Sequence, residues 1–337
     1  MYTQHYGLTD RPFQLMPDAR FWFDSRTHKK AMAYLGYGIA QGEGFIVVTG
    51  EIGAGKSTLA AHLLATIDRE RLNAVSLVST QVEGDDVLRL AAQGFGLATE
   101  GLAKAQILDR MEQLLADQAA QGKRSLLIVD EAQSLATSAL EELRMLSNFT
   151  RQGRALLQIF LLGQPEFRDR LAGDDGLEQL RQRVIATHHL DAMEPAEIEP
   201  YLVHRLAVAG WQGRPVFEAG AFAAIHRHTG GIPRRVNQLA NRLLLFGAVE
   251  NLERISAADV EAVAGDMAAD RAAPRAFASH AAPHSAPEPV ADLAFERRLA
   301  QLESRFEEQE IVLRRVLTLL VDWVENSEAP GYRSNAA

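Results

Sequence analysis

Between residues 44 and 189, short continuous apolar runs alternate with longer stretches whose apolar residues return every three or four positions. That alternation predicts an α/β domain built on a parallel sheet. The runs at 45–49, 74–79, 125–129 and 156–162 read as buried strands, because each is short, apolar and bounded by polar residues or glycine. The stretches at 57–67, 84–94, 104–121 and 138–150 read as helices between them. After Asp191 the strand pattern stops, and 194–209, 218–229, 233–250 and 256–267 each read as amphipathic helices with cap residues at their starts. The expected division is an α/β core over 1–190 and a helical second domain over 191–267.

Residues 268–292 contain ten Ala and four Pro, a composition that buries little surface and predicts a flexible linker. Beyond it, over 293–326, Phe295, Leu299, Leu302, Phe306, Leu313, Val316, Leu320 and Trp323 fall on alternating three- and four-residue spacings, with Gln309 in the one gap. That stripe predicts an amphipathic helix able to form a coiled coil with another copy or a partner; a helix docked on its own body is the alternative.

Composition narrows the class. The chain has 337 residues, 47% hydrophobic and 23% charged, which is ordinary soluble usage and excludes a wholly disordered or collagen-like protein. Lys and Arg number 35 against 44 Asp and Glu, a net charge of −9 that argues against wholesale coating of nucleic acid. The absence of cysteine removes disulfides, thiolate metal sites and thiol nucleophiles together. The opening Met-Tyr-Thr-Gln-His-Tyr has neither a basic start nor an apolar run, so no secretory signal is expected. The most lipid-like stretch, 311–324, is interrupted by Arg314, Arg315 and Asp322, which predicts no transmembrane helix and a cytoplasmic location.

The candidate chemistry begins at Gly50-Glu51-Ile52-Gly53-Ala54-Gly55-Lys56-Ser57, a match to G-x-x-x-x-G-K-[ST] placed where the first strand ends and a helix begins. Glycines let such a loop curl its N–H groups toward phosphate oxygens, and the helix N-terminus adds partial positive charge. Lys56, one of only five lysines, is expected to reach the β- and γ-phosphates. Ser57 is the expected Mg²⁺ ligand, with Thr58 beside it in the nucleotide-binding segment. The alternative, a plain glycine turn, does not account for the strand-to-helix context.

Leu126-Leu127-Ile128-Val129-Asp130-Glu131 then places two carboxylates after a buried strand, in the manner of a Walker B motif. Asp130 is expected to hold Mg²⁺ and Glu131 to activate the attacking water; capping of the next helix is the structural alternative. Gln164, in Gly163-Gln164-Pro165 at the end of the 156–162 strand, is a candidate contact to the γ-phosphate or the water, or else turn chemistry. Arg181 and Arg183 are candidates for a finger acting on a neighbouring subunit, or surface salt-bridge residues. Gly230-Gly231-Ile232-Pro233-Arg234 puts Arg234 behind a proline helix start, where it reads either as a lid arginine on the γ-phosphate or as a solvated residue.

Taken in order, GEIGAGKS, LLIVDEAQ, LLGQPEF, LRQRV and GGIPRRVN resemble the AAA+ ATPases of the general secretion pathway protein A (ExeA) group. Tyr6-Gly7-Leu8, Pro12-Phe13, Pro17-Asp18, Ser25, His28 and Tyr37-Gly38 are spaced as in that group. The resemblance is most specific to secretion ATPases associated with exosortase/PEP-CTERM and exopolysaccharide loci, and it runs from about Met1 to Met267. It implies a P-loop ATPase core that uses ATP and Mg²⁺, followed by a helical lid. It assigns Gln164 as sensor 1, Arg181 or Arg183 as the finger and Arg234 as sensor 2.

The resemblance also implies an adenine pocket before the loop, with Phe21 and His28 as candidates, though a core role is equally open. Expected partners are further copies of the chain and components of envelope secretion or polysaccharide machinery, reached from the cytoplasm or at the inner-membrane periphery. Relatives of this group continue into a transmembrane helix and a peptidoglycan-binding domain, whereas here the linker and amphipathic helix follow. Two other readings compete: a DNA-bound switch like transposition-adaptor ATPases, for which Arg227, Arg234, Arg235 and Arg242 would supply the basic surface, and a scaffold that ATP merely locks.

Overall fold

The computed structural model describes residues 2–78 and 83–272. Five parallel strands form the central sheet: β1 (Phe45–Gly50), β2 (Leu72–Val78), β3 (Arg124–Asp130), β4 (Leu157–Gly163) and β5 (Val184–Leu190), in the spatial order β2-β3-β4-β1-β5. Strands covered on both faces read as continuous apolar runs, which is why β1, β3 and β4 are legible in the sequence. Phe45, Ile46, Val47 and Val48 are wholly buried, and each such side chain contributes about 1.5–3 kcal/mol relative to exposure.

The helices that cover the sheet are α1 (Arg26–Gln41), α2 (Lys56–Thr66), α3 (Gly84–Gly94), α4 (Lys104–Ala120), α5 (Thr137–Leu146) and α6 (Pro165–Gly173). Two apolar clusters lie on the sheet's opposite faces. One joins Phe45, Val47, Leu127, Val129, Ile159 and Leu161 to α3, α4 and α5, and the other joins Ile46, Val48, Ile128, Phe160 and Leu162 to α1 and α2. β5, α1 and α6 are among the elements that the sequence pattern does not predict. β5 is an edge strand with alternating exposure and two histidines, and so lacks the apolar run of its neighbours. α1 carries Gly36 and Gly38 inside it, and α6 is only nine residues long. The helix expected over 138–150 ends at Leu146, and a two-strand ribbon, Thr150–Arg151 against Arg154–Ala155, follows it.

Four helices, α7 (Pro195–Val208), α8 (Ala219–Thr229), α9 (Pro233–Val249) and α10 (Ala257–Ala272), close around a third apolar cluster that includes Ile198, Leu202, Ile225, Leu239, Leu243 and Val260. Tyr6, Leu8 and Phe13 belong to this cluster, so the opening segment, which the sequence grouped with the 1–190 core, packs into the helical bundle. Arg205 fastens it there by donating from Nε to the carbonyl of Pro12 at 2.6 Å. Residues 268–272 of the expected linker are helical, because α10 runs through Ala272. Alanine is the strongest helix former, so an Ala-rich segment extends a helix until proline intervenes. The remaining linker, 273–292, and the amphipathic helix expected over 293–326 lie outside the described residues.

Candidate nucleotide-binding and hydrolytic site

Register places the C-terminal ends of three adjacent strands side by side. Thr49 pairs with Gly163, and Val129 with Leu161, so the residues just beyond β1, β3 and β4 meet at one edge of the sheet. In open α/β sheets ligands bind outside the carboxyl ends of the strands, where the strand order reverses. A cleft of about 300 Å³ lies there, lined by Gly53, Gly55, Lys56, Ser57, Thr58 and Glu131 from the sheet side and by Met193, Tyr201, Arg205, Arg234 and Asn237 from the bundle side.

The loop is shaped as the motif requires. Gly53 and Gly55 adopt φ of 86° and 103°, the left-handed region that glycine enters without steric cost. A Cβ on Gly55 would stand 2.6 Å from Nε2 of His28, so close backbone approach excludes any larger residue. Lys56 opens α2, buried, and donates from Nζ to the carbonyls of Gly50 at 2.7 Å and Glu51 at 3.1 Å. Burial lowers its pKa from the ordinary lysine value, an effect opposed by Glu131 and Asp130. Glu51 and the exposed Ile52 form the outer turn of the loop, and Ala54 is buried beneath it.

Ser57 Oγ donates to Oδ2 of Asp130 at 2.6 Å, while Oδ1 of Asp130 accepts the Glu131 N–H at 2.9 Å. A hydroxyl and one carboxylate make an incomplete oxygen set, which fits Mg²⁺, an ion that completes its shell with water and substrate phosphates. Among the described residues, no three His, Asp or Glu side chains form a protein-only metal cage.

Glu131 has φ 56°, unusual for a residue with a side chain. Its Oε2 accepts from the side-chain amides of Gln133 and, at 3.3 Å, Gln164. Gln164 precedes α6 as its N-terminal cap residue and donates its own backbone N–H to Oε1 of Gln133 at 3.0 Å. Gln133 had no role in the sequence reading, although it stands in LLIVDEAQ.

The far end of the cleft is aromatic. Phe21, Trp22 and Phe23 line it, and Trp22 stacks on His62 with centroids 4.1 Å apart. His28, bonded through Nδ1 to Ser25 Oγ at 2.6 Å, is pushed down to about 4 chiefly by burial and is neutral at pH 7. Arg205 Nη1 donates to the Tyr201 hydroxyl at 3.3 Å, and that hydroxyl donates to Asn237 Oδ1 at 2.8 Å. Burial raises the Tyr201 pKa, so the hydroxyl keeps its proton.

A family model described as an AAA domain matches residues 39–171. The chain carries an AAA domain. Over 270 residues it is 36% identical to General secretion pathway protein A of Aeromonas hydrophila, a match covering 80% of this chain and 49% of that protein. The chain therefore spans about half the length of this curated relative, to which it is similar over those residues. The ADP form of the Aeropyrum pernix ORC2 protein is similar in structure, with a TM-score of 0.58 at 17% identity, over 77% of this chain and 73% of that one. Cdc6p from Pyrobaculum aerophilum gives 0.57 at 14% identity, over 74% and 71%. At such identities the likeness concerns the fold, a parallel-sheet P-loop AAA fold.

Within the AAA domain the structure brings together the loop 50–58, Asp130, Glu131 and Gln164, and the bundle adds Arg234. It does not bring in Arg181 or Arg183. Arg181 donates from Nη1 to the carbonyls of Leu171 at 3.3 Å and Ala172 at 2.7 Å, and Arg183 from Nη1 to the carbonyl and hydroxyl of Ser147. The Arg183 carbonyl accepts the N–H of Phe45, at the opposite end of β1 from the phosphate loop. Five residue steps at about 3.3 Å separate them by about 17 Å. Neither arginine serves the cleft of its own chain.

Two of the four arginines that could offer DNA a basic surface are paired with carboxylates. Arg227 pairs with Glu261, and Arg242 with Asp270 at 2.9 Å. Among the described residues, no helix is long and apolar enough to cross a membrane.

Proposed function

We propose that the chain binds ATP with Mg²⁺ in this cleft and hydrolyses it to ADP and phosphate, in an assembly where Arg181 or Arg183 reaches a neighbour's site. The observation that carries the reading is the convergence of Lys56, the Ser57–Asp130 pair and Glu131 on one cleft. Bound ATP and Mg²⁺ supply the scissile phosphoanhydride and the charge neutralisation that cleavage needs. Lys56, partly desolvated, offers its ammonium to the terminal phosphates, and the curled N–H groups of the loop hold the chain's side of the cradle. Glu131 accepts a proton from the attacking water, oriented by the amides around it. Arg234 sits at the mouth, on a different body from the loop, so its engagement sets the angle of the bundle.

Similarity to General secretion pathway protein A supports a role in assembling or energising an envelope secretion system. The motif resemblance points further, to exopolysaccharide and PEP-CTERM-type export. Such a chain acts at the inner-membrane periphery through partners and forms a homo-oligomer. Turnover measured against protein concentration, with and without duplex DNA, tests this. Specific activity that rises with concentration and ignores DNA is expected. Strong stimulation by DNA would replace the secretion reading, and absence of turnover at every concentration would reject hydrolysis.

A further inference from the structure

We propose that Gln133 is a positioning residue: its side-chain amide fixes the carboxylate of Glu131 and ties it to Gln164. The inference rests on the reading of Glu131 as the base in ATP hydrolysis.

The orientation of the Gln133 amide follows from its partners. The backbone N–H of Gln164 can only donate, and it meets Oε1 of Gln133 at 3.0 Å. With its oxygen so engaged, the amide must present its NH₂ group on the other side, where it donates to Oε2 of Glu131. Gln164 returns to the same oxygen with its own side-chain NH₂ at 3.3 Å. One carboxylate oxygen thus carries two amide donors, and Oε1 of Glu131 accepts from neither.

The backbone makes this possible. Glu131 in the left-handed region reverses the chain after β3, and the short 3₁₀ turn Ala132–Ser134 brings Gln133 back over it. Two residues of ordinary helix or strand would not place these side chains together. Gln164 also stands at the mouth of the strand ends that hold the phosphate loop. When its side chain turns toward a terminal phosphate it releases Glu131, and Gln133 alone then keeps the base in place. Gln133 therefore bears on turnover and not on nucleotide affinity.

The test uses the full chain and four substitutions: Gln133→Met, Gln133→Glu, Gln164→Met and Glu131→Ala. Gln133→Met is expected to lower kcat by about 10- to 100-fold, part of what a general base contributes. KM, and the ATP dissociation constant measured by calorimetry, should stay within about twofold. Gln133→Glu keeps the shape and the acceptor for Gln164 but sets a carboxylate against Glu131, so its kcat should fall below that of Gln133→Met. A side chain that merely fills space would give the reverse order. Gln133→Met combined with Gln164→Met should lose about the product of the single losses in kcat, because in the loaded cleft Gln164 has turned to the phosphate and Gln133 alone holds the base.

A readout free of nucleotide keeps the contact testable on its own. Losing the amide should lower the melting temperature by about 2–4 °C in the wild-type background and by less in a Glu131→Ala background. Unchanged kcat in Gln133→Met, equal losses of affinity and turnover, or the same melting shift in both backgrounds would each overturn the proposal. A wild-type chain without turnover would fail the ATPase reading instead, while the melting cycle still decides the contact.

Discussion

Arg234 donates its backbone N–H to the carbonyl of Gly53 at 3.1 Å, so the first turn of α9 rests directly on the phosphate loop. A Cβ built on Gly53 would lie 2.3 Å from the Cβ of Arg234, closer than real atoms come. The loop and the bundle touch through this backbone hydrogen bond and through the stem of the Arg234 side chain packed on Gly53.

That closeness separates two costs of substitution. Gly53 and Gly96 both have positive φ, 86° and 94°, but only Gly53 has a neighbour within reach of an added methyl. Gly96→Ala should destabilise by about 1–2 kcal/mol from backbone strain alone. Gly53→Ala should cost more and weaken ATP binding by at least about tenfold, as the bundle is pushed off the loop. Chemical denaturation and calorimetry on both variants check this, and equal effects would remove the contact from the account.

Binding and hydrolysis should separate cleanly. Lys56→Ala removes the ammonium at the loop and is expected to abolish ATP binding in calorimetry. Glu131→Gln should keep ATP bound but unhydrolysed, and it should enrich any nucleotide-dependent oligomer seen by light scattering. Full turnover in the Glu131 variant would exclude it as base.

Ser57 and Asp130 share one hydrogen bond, and under the proposed function Mg²⁺ would take its place between the two oxygens. Ser57→Ala should raise the Mg²⁺ concentration needed for half-maximal activity by about tenfold or more, leaving metal-free ATP binding within about threefold. A Mg²⁺ titration of wild type and variant decides the matter.

Acid should destabilise the protein through His28. Its pKa in the folded protein is about 4 against an ordinary 6.5, because burial disfavours the charged ring. A lowered folded value means the unfolded chain binds the proton first, so stability is full above pH 6.5 and is lost as pH falls toward 4. The interval of about 2.5 pH units, at about 1.4 kcal/mol each, sets the full loss at ~3.5 kcal/mol. His188 and His62, also lowered by burial, act in the same direction. Urea unfolding at pH 7.5 and pH 5 should show a smaller loss for His28→Gln than for wild type, by about 2 kcal/mol.

Arg181 and Arg183 can be told apart by mixing. The one that acts on a neighbour should, when changed to Ala, lower turnover by about 10³-fold or more with little change in melting temperature. Adding a Glu131→Gln chain, inactive but with its arginines intact, should restore activity to that variant's own cleft. An arginine that only braces its own chain should lower stability, and mixing should not rescue it.

What the sequence made legible follows from burial on both faces. β1, β3 and β4 announce themselves because every side chain of theirs except that of Arg124 is buried, and the phosphate loop because its glycines fall at a strand end. β5 escapes because Ile185 and Thr187 face outward and two histidines interrupt the run. In the site, Lys56, Ser57, Asp130 and Glu131 sit on motifs of fixed spacing, so each could be named in advance. Gln133 could not be assigned, because its direction depends on a backbone reversal at Glu131 that no residue type there requires. Tyr201, Arg205 and Asn237 come to the cleft through packing of the bundle, and their convergence is tertiary.

The opening segment has a mechanical consequence. Since Tyr6 and Phe13 pack in the bundle while Ala31 and Leu35 pack on the sheet, the chain crosses between the two bodies near residues 21–25, and again between Leu190 and Met193. A body held by one strand swivels about a point, but a body held by two turns about a line. Phe21, Trp22, Phe23, Ser25 and Met193, the residues of those crossings, also line the cleft, so the axle runs beside it. A small turn about that line at the cleft would be delivered as a long, directed sweep at the far tip of the bundle, the geometry of a lever worked from its fulcrum.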